Sequence, residues 1–256
     1  MSTAARTGVV SRTCVKTADG VIKMVELEVP EPAGHEALVA IRMATVCGSD
    51  IHYVDDFPMP KDIVHLAMGH EMVGTVVAVG ATVRSVRAGD RVVASCLYGC
   101  GTCASCQRGL VSCCERYGSL PGVTNLLTGC QGDYIVVPHA DVNMAKVPDG
   151  VSDDQAILAT DIMSTGFAAV ERGGVSAGDT VAVFAQGPVG LCATATAAAR
   201  ARGAGQIIAI ESIPERVELA RQLGATTVLA PSQAGEGLAE ATNGRGVDVA
   251  IEALGR

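Results

Sequence analysis

The chain has no Trp and only three Phe and four Tyr, against thirty Gly in 256 residues. An interior so poor in aromatic rings has to be filled by Ala, Val and Gly, with backbones in close approach. A basic excess is missing as well: nineteen Lys and Arg face twenty-seven Asp and Glu, for a net charge of -8. No basic run offers a local exception, so nucleic acid is not an expected partner. No apolar stretch approaches the roughly 18 to 20 residues that a helical membrane span needs, so no membrane partner is expected either. The amino terminus, MSTAARTGVV, lacks the apolar core of a secretory signal. The expectation is a cytoplasmic protein of about two domains, whose ten cysteines sit in a reducing compartment.

Four of those cysteines carry the strongest signal. Cys100, Cys103, Cys106 and Cys114 are separated by two, two and seven residues and lie among Gly99, Gly101, Ser105 and Gly109. Two residues between thiolates let a tight turn aim both sulfurs inward, so four can close a tetrahedron around zinc at about 2.3 Å. A closed four-thiolate site has no open coordination position. It folds a lobe, here about 96–118, and leaves chemistry to another place. Cys113 is an alternative to Cys114 as the fourth ligand, and Cys96 also lies beside the set. Cys14, Cys130 and Cys192 read as small buried residues.

The texture of the chain changes after Pro148-Asp149-Gly150. Before it, from residue 21 to about 145, short runs such as VELEV, ALVAIRM, MVGTVVAVG and DRVVAS predict a β-rich region punctuated by Pro and Gly. After it, an Ala-rich helical segment over 151–172 leads into alternating strands and helices. TVAVFA (180–185), IIAI (207–210), TTVLA and VDVAIEA read as strands, with helices predicted over 189–202, from Pro214 to Arg221, and near 235–242. That order predicts a parallel sheet with right-handed crossovers.

Between the first of these strands and its helix stands Ala185-Gln186-Gly187-Pro188-Val189-Gly190, a setting in which a turn places a pyrophosphate on a helix N-terminus. Gly187 lets the backbone approach phosphate and Gly190 lets the helix pack on the strand, while Ala185 replaces the first glycine of the usual fingerprint. Glu211, ending the next strand, stands where an acid can bridge the ribose hydroxyls of NAD and repel the 2'-phosphate of NADP. Arg202 and Arg216 lie near enough to soften that preference. The alternative for Glu211 is a solvated loop carboxylate.

Several motifs together identify a family. Cys47-Gly48-Ser49-Asp50-Ile51-His52, Gly69-His70-Glu71-Met72-Val73-Gly74 running on to Gly80, Gly89-Asp90-Arg91-Val92, the cysteine lobe and the nucleotide turn resemble the zinc-dependent alcohol dehydrogenases of the medium-chain dehydrogenase/reductase superfamily. The resemblance implies an α/β architecture: a GroES-like β-rich catalytic domain over 1–160, carrying the structural zinc lobe, and an incomplete Rossmann domain, a doubly wound parallel sheet, over 161–256. It implies two zinc ions per chain. Cys47, His70 and Asp161 would hold the catalytic one, with Glu71 an additional or transient ligand and Asp50 orienting His70; the four lobe cysteines would hold the other. Asp161 stands where many relatives have a second Cys. The implied reaction moves a hydride between an alcohol and NAD, with the alcohol proton leaving through the Ser49 hydroxyl and the cofactor ribose to His52. His35, His65 and His139 match no functional position of the family.

A secondary alcohol is the leading substrate, with formaldehyde, a polyol or threonine as alternatives, and the resemblance implies a homo-oligomer in full-length members. Zinc-free enone or quinone reductases of the same superfamily lack the counterparts of Cys47, His70 and the cysteine lobe, which this chain has. The sequence stops just after the fourth predicted Rossmann strand, where a doubly wound domain wants about six. The expectation is therefore a shortened member that keeps the zinc-ligand positions and the ADP half of the cofactor site. A noncatalytic zinc-binding chain that pairs with full-length homologues is the competing class.

Overall fold

Val25, Leu27 and Val29 alternate with Glu26 and Glu28, and the strand they form, β2 (Ile22–Pro30), turns the apolar set inward and exposes the acids. In the computed structural model, which describes residues 6–56, 65–117, 129–196 and 204–255, β2 pairs antiparallel with β1 (Arg6–Thr17). All of β1 precedes the region where the sequence pattern announces strands. Its pattern is inverted: Ser11 and Thr13 are fully buried and hydrogen-bonded to each other at 3.0 Å, while Val10 is 49% exposed.

The chain divides into two compact units, Met1–Thr160 and Asp161–Arg256. In the first, β3 (Ala37–Ala44), α1 (Gly48–Asp55), β4 (His65–Ala67), β5 (Met72–Val79) and β6 (Arg91–Ala94) follow one another. The short α2 (Ala104–Gln107), β7 (Tyr134–Val137), α3 (Ala140–Asn143), β8 (Met144–Lys146) and α4 (Asp153–Ala156) complete it. Among the described residues these strands make a five-stranded antiparallel sheet, ordered β7-β3-β5-β6-β8, and a three-stranded sheet, β2-β1-β4. Val39, Met72, Val76, Val92, Tyr98, Ile135 and Val137 pack into its main core. The interior is aliphatic, as the shortage of rings requires.

The second unit opens with α5 (Ile162–Arg172) and runs through β9 (Thr180–Phe184), α6 (Pro188–Ala195), β10 (Gln206–Ile210), α7 (Pro214–Gln222), β11 (Thr227–Leu229), α8 (Ala234–Ala241) and β12 (Val249–Glu252). The four strands are parallel in the order β11-β10-β9-β12, so the first lies inside and the connections wind outward in both directions. The helix predicted over 189–202 is described to Ala195. Thr196 leaves the helical region at ψ 121°, and residues 197–203, with Arg202 and Gly203, lie outside the described residues.

Two positions show how closely β9 and α6 approach. A Cβ on Gly190 would stand 1.9 Å from the Ala185 carbonyl oxygen, so only glycine lets the helix settle there. Ala185 itself is left-handed, at φ 67°, the conformation a glycine would take without strain. Opposite effects are therefore expected in urea unfolding of the second unit. Gly190→Ala should destabilise it by about 1–3 kcal/mol, and Ala185→Gly should stabilise it by up to about 1 kcal/mol.

Candidate metal centres and nucleotide pocket

The lobe cysteines converge. The sulfurs of Cys100, Cys103, Cys106 and Cys114 all lie within 4.8 Å of one another, compatible with the edges of about 3.8 Å in a tetrahedron of ~2.3 Å zinc–sulfur bonds. Cys114 is buried and Cys113 is exposed, which puts Cys114 in the cluster. Main-chain amides aim at these sulfurs: Cys100 N donates to Cys114 Sγ at 3.4 Å, Cys103 N to Cys100 Sγ at 3.4 Å, and Cys106 N to Cys103 Sγ at 3.5 Å. The Thr102 hydroxyl and neighbouring amides bring the Cys100 thiol down to about 6, whereas loss of solvent pushes Cys106 up to about 11. Four thiolates this close would repel one another, and a dication at their centre would offset much of that repulsion. The donor set fits zinc in a closed site.

A second convergence lies in the same unit. Cys47 precedes α1, and His70 and Glu71 precede β5; one ligand atom from each lies within 4.8 Å of the others. Asp50, in the first turn of α1, accepts the Cys47 amide on Oδ2 at 2.9 Å, which holds the entry to the helix. Its Oδ1 lies 3.4 Å from His70 Nδ1. An Nδ1 proton facing a carboxylate leaves the Nε2 lone pair for a metal. Ser49 Oγ is 3.2 Å from Cys47 Sγ and 3.4 Å from His70 Nε2. His70 lowers the Cys47 thiol pKa, burial opposes it, and the Ser49 hydroxyl adds to the lowering. Thr45 donates its hydroxyl to the Glu71 carboxylate. One sulfur, one imidazole nitrogen and one carboxylate suit zinc in an open site.

The other expected residues are placed as follows. His52 is on α1, exposed, with Nδ1 3.1 Å from Asp56 Oδ2. Asp161 belongs to the second unit, where it precedes α5 and its Oδ1 accepts the Thr165 hydroxyl at 2.6 Å. Gly187 caps α6, and Pro188, Val189 and Gly190 form its first turn.

At the C-terminal ends of β9 and β10 a cavity of about 490 Å³ is lined by Phe184, Ala185, Ile210, Glu211, Ile213 and Arg216, among others. That is where parallel sheets take ligands, and the size is that of a small-molecule site. Glu211 is not a solvated loop acid: it is 8% exposed. Its Oε2 accepts the Gln186 amide at 2.9 Å, and its Oε1 accepts the amides of Ser212 and Ile213 at 2.7 and 3.0 Å. Arg216 Nη1 is 3.8 Å from Oε2. Sequence reasoning missed Gln186, which is fully buried. Its Nε2 donates to the Val183 carbonyl at 3.1 Å and its Oε1 accepts the Thr194 hydroxyl at 2.9 Å, bracing the turn.

Comparison with known proteins gives the family. Residues 33–149 match the alcohol dehydrogenase GroES-like domain and residues 188–256 the zinc-binding dehydrogenase family. An alcohol dehydrogenase of Cupriavidus necator is 39% identical over 253 residues, covering 92% of this chain and 68% of that protein. The chain belongs to the zinc-dependent alcohol dehydrogenase family. The solved alcohol dehydrogenase of Thermus sp. ATN1 superposes with a TM-score of 0.83 at 37% identity, over 96% of this chain and 71% of that one. The NADP-dependent isopropanol dehydrogenase of Thermoanaerobacter brockii is 36% identical over 242 residues, 92% of this chain and 67% of that enzyme. The dehydrogenase is thus an oxidoreductase that uses zinc and a nicotinamide cofactor and acts on a small molecule. Among its described residues no helix is long and apolar enough to cross a membrane.

Glu211 makes the second unit sensitive to acid. Burial pulls its carboxyl upward, and the amides of Ile213, Ser212 and Gln186, with Arg216, outweigh that and hold it below the usual range. A folded-state pKa below the unfolded ~4.3 adds stability that is present above that value and lost as pH falls through the folded one. Urea unfolding between about pH 6 and 3 should therefore show Glu211→Gln less stable than the parent at pH 6, with the gap narrowing towards pH 3. A constant gap would mean that Glu211 does not couple folding to protons.

Proposed function

We propose that the dehydrogenase oxidises a secondary alcohol to a ketone with NAD as hydride acceptor, using one zinc at Cys47 and His70 and another in the four-cysteine lobe. The observation that carries this reading is the convergence of Cys47, His70 and Glu71, with His70 Nδ1 turned to Asp50. Zinc held there supplies a Lewis acid for the alcohol oxygen.

The chain's own groups do the rest. Cys47 and His70 would hold the metal, and Asp50 Oδ1, 3.4 Å from His70 Nδ1, would favour the tautomer that offers Nε2. Ser49 Oγ, beside both donor atoms, takes the proton leaving the alcohol hydroxyl. His52, three residues on along α1 and exposed, with Nδ1 3.1 Å from Asp56 Oδ2, releases it to solvent. A bound nicotinamide would supply the hydride acceptor, and the alcohol, losing one hydride and one proton, would become a ketone.

Glu211 supports NAD over NADP. Its carboxylate lines the pocket at the end of β10, where a ribose would lie, and repels a 2'-phosphate. Arg216 moderates that charge without neutralising the three amide contacts that fix it.

Elemental analysis of the purified chain should find two zinc atoms, falling to one in Cys47→Ser, with propan-2-ol-dependent NADH formation lowered at least about a hundredfold. NAD should bind more tightly than NADP, and Glu211→Ser should narrow the difference. Two bound zinc atoms and NAD binding without turnover of any secondary alcohol would overturn the substrate assignment.

A further inference from the structure

Gln131 is a half-buried amide in the segment before β7, far in sequence from every zinc-ligand position, yet its side chain meets the support of the Cys47–His70 site from behind. Its Nε2 donates to Asp50 Oδ2 at 3.1 Å and to the Thr45 carbonyl at 3.5 Å. Both neighbours are pure acceptors, so the side chain has to present its NH₂ group here, and both of its hydrogens are engaged. Thr45 in turn gives its hydroxyl to Glu71. One neutral amide therefore touches both carboxylate arms of the site: Asp50, which faces His70 Nδ1, and, through Thr45, Glu71.

The backbone fixes that amide in place. Cys130 N donates to the Gly69 carbonyl at 3.0 Å and Gln131 N to the Met68 carbonyl at 3.0 Å, which ties the segment to the two residues preceding His70. Gly69 has φ 87°, and a Cβ there would stand 2.6 Å from both Gln131 Cγ and Gln131 N. The residue before His70 is thus bare where Gln131 lies against it. Asp50 Oδ2 has two anchors, the Cys47 amide and Gln131 Nε2. Removing the second leaves the carboxylate free to turn about the first, and its Oδ1 then loses its aim at His70.

We propose that Gln131 is a positioning residue for the Cys47–His70 metal site, acting through Asp50 on His70 and through Thr45 on Glu71. The inference rests on the zinc reading above. It does not depend on the identity of the alcohol.

The test uses the full chain and zinc alone, in competition with a chromophoric chelator that resolves the two sites. In Gln131→Met, of similar length but without donors, affinity at the Cys47 site should fall about tenfold or more while the four-cysteine site is unchanged. In Gln131→Glu the added carboxylate opposes Asp50, and the loss at the same site should be at least as large. Cobalt substitution gives a second readout, since the visible bands of cobalt at the Cys47 site should shift in both variants. Affinities within twofold of the parent, with unchanged cobalt bands, would overturn the inference and leave the zinc reading intact. Equal weakening at both sites would make Gln131 a general folding residue and overturn it equally. A parent chain that takes zinc only at the four cysteines would overturn the zinc reading, and the inference with it. Gln131→Glu keeps the shape of the residue and settles the matter if Gln131→Met does not fold.

Discussion

Burying a carboxylate away from water costs several kcal/mol unless hydrogen bonds replace the lost solvent, and Asp50 is 4% exposed. In the first unit hydrogen bonds meet that demand at one of the two oxygens. The Cys47 amide and the Gln131 side chain satisfy one oxygen, and the other faces His70 Nδ1. Each contact comes from a different stretch of chain: the entry to α1, the approach to β7 and the approach to β5. Holding Asp50 therefore brings three segments to one point. The donors for a metal are carried by two of those segments, so the geometry of the site follows from the hydrogen bonding of the acid behind it.

The second unit meets the same demand with main-chain groups. Glu211 is nearly as buried, and three backbone amides hold it, two from the start of the loop after β10 and one from the turn after β9. The contact with Gln186 N joins the ends of two neighbouring parallel strands, so the acid that lines the pocket also closes its rim. The pairing has a consequence for substitution. A residue that accepts a different cofactor charge at 211 must also replace those amide bonds, and a small polar side chain replaces only some of them.

Much of this was legible in the sequence wherever a repeat or a spacing carries the physics. The C-x-x-C-x-x-C spacing announced the lobe because two intervening residues suffice to aim neighbouring sulfurs together. The alternation of TVAVF, IIAI and their helices announced the parallel sheet, and each predicted strand overlaps β9, β10, β11 or β12. Cys47, His70 and Glu71 could be joined only through family resemblance, since nothing in the distance between 47 and 70 implies contact. β1 was illegible because Ser11 and Thr13 satisfy each other inside, which reverses the usual sign of the pattern. Gln131 and Thr45 were illegible for another reason. Their contacts run side chain to carboxylate and side chain to main chain across the chain, and hydrogen-bonding partners of that kind leave no periodic trace.

The two convergent donor groups are supported in different ways. In the lobe every donor is sulfur and the amides of Cys100, Cys103 and Cys106 aim at thiolates, so the peptide itself completes the shell and nothing is left for a substrate. The lobe is also tied down from outside. Asn143, 2% exposed, accepts Gly99 N at 2.8 Å and donates to the Gly99 and Pro138 carbonyls at 3.0 and 2.8 Å, fixing the residue before Cys100 against the end of β7. In the Cys47 group one sulfur, one nitrogen and one carboxylate oxygen converge, and side chains do the supporting: Asp50 behind His70, Thr45 on Glu71 and Ser49 beside Cys47. Side chains can adjust by a bond rotation and amides in a tight turn cannot. On the proposed reading, the site that exchanges a ligand leans mainly on the adjustable groups, and the closed site leans on rigid amides together with the Thr102 and Asn143 side chains.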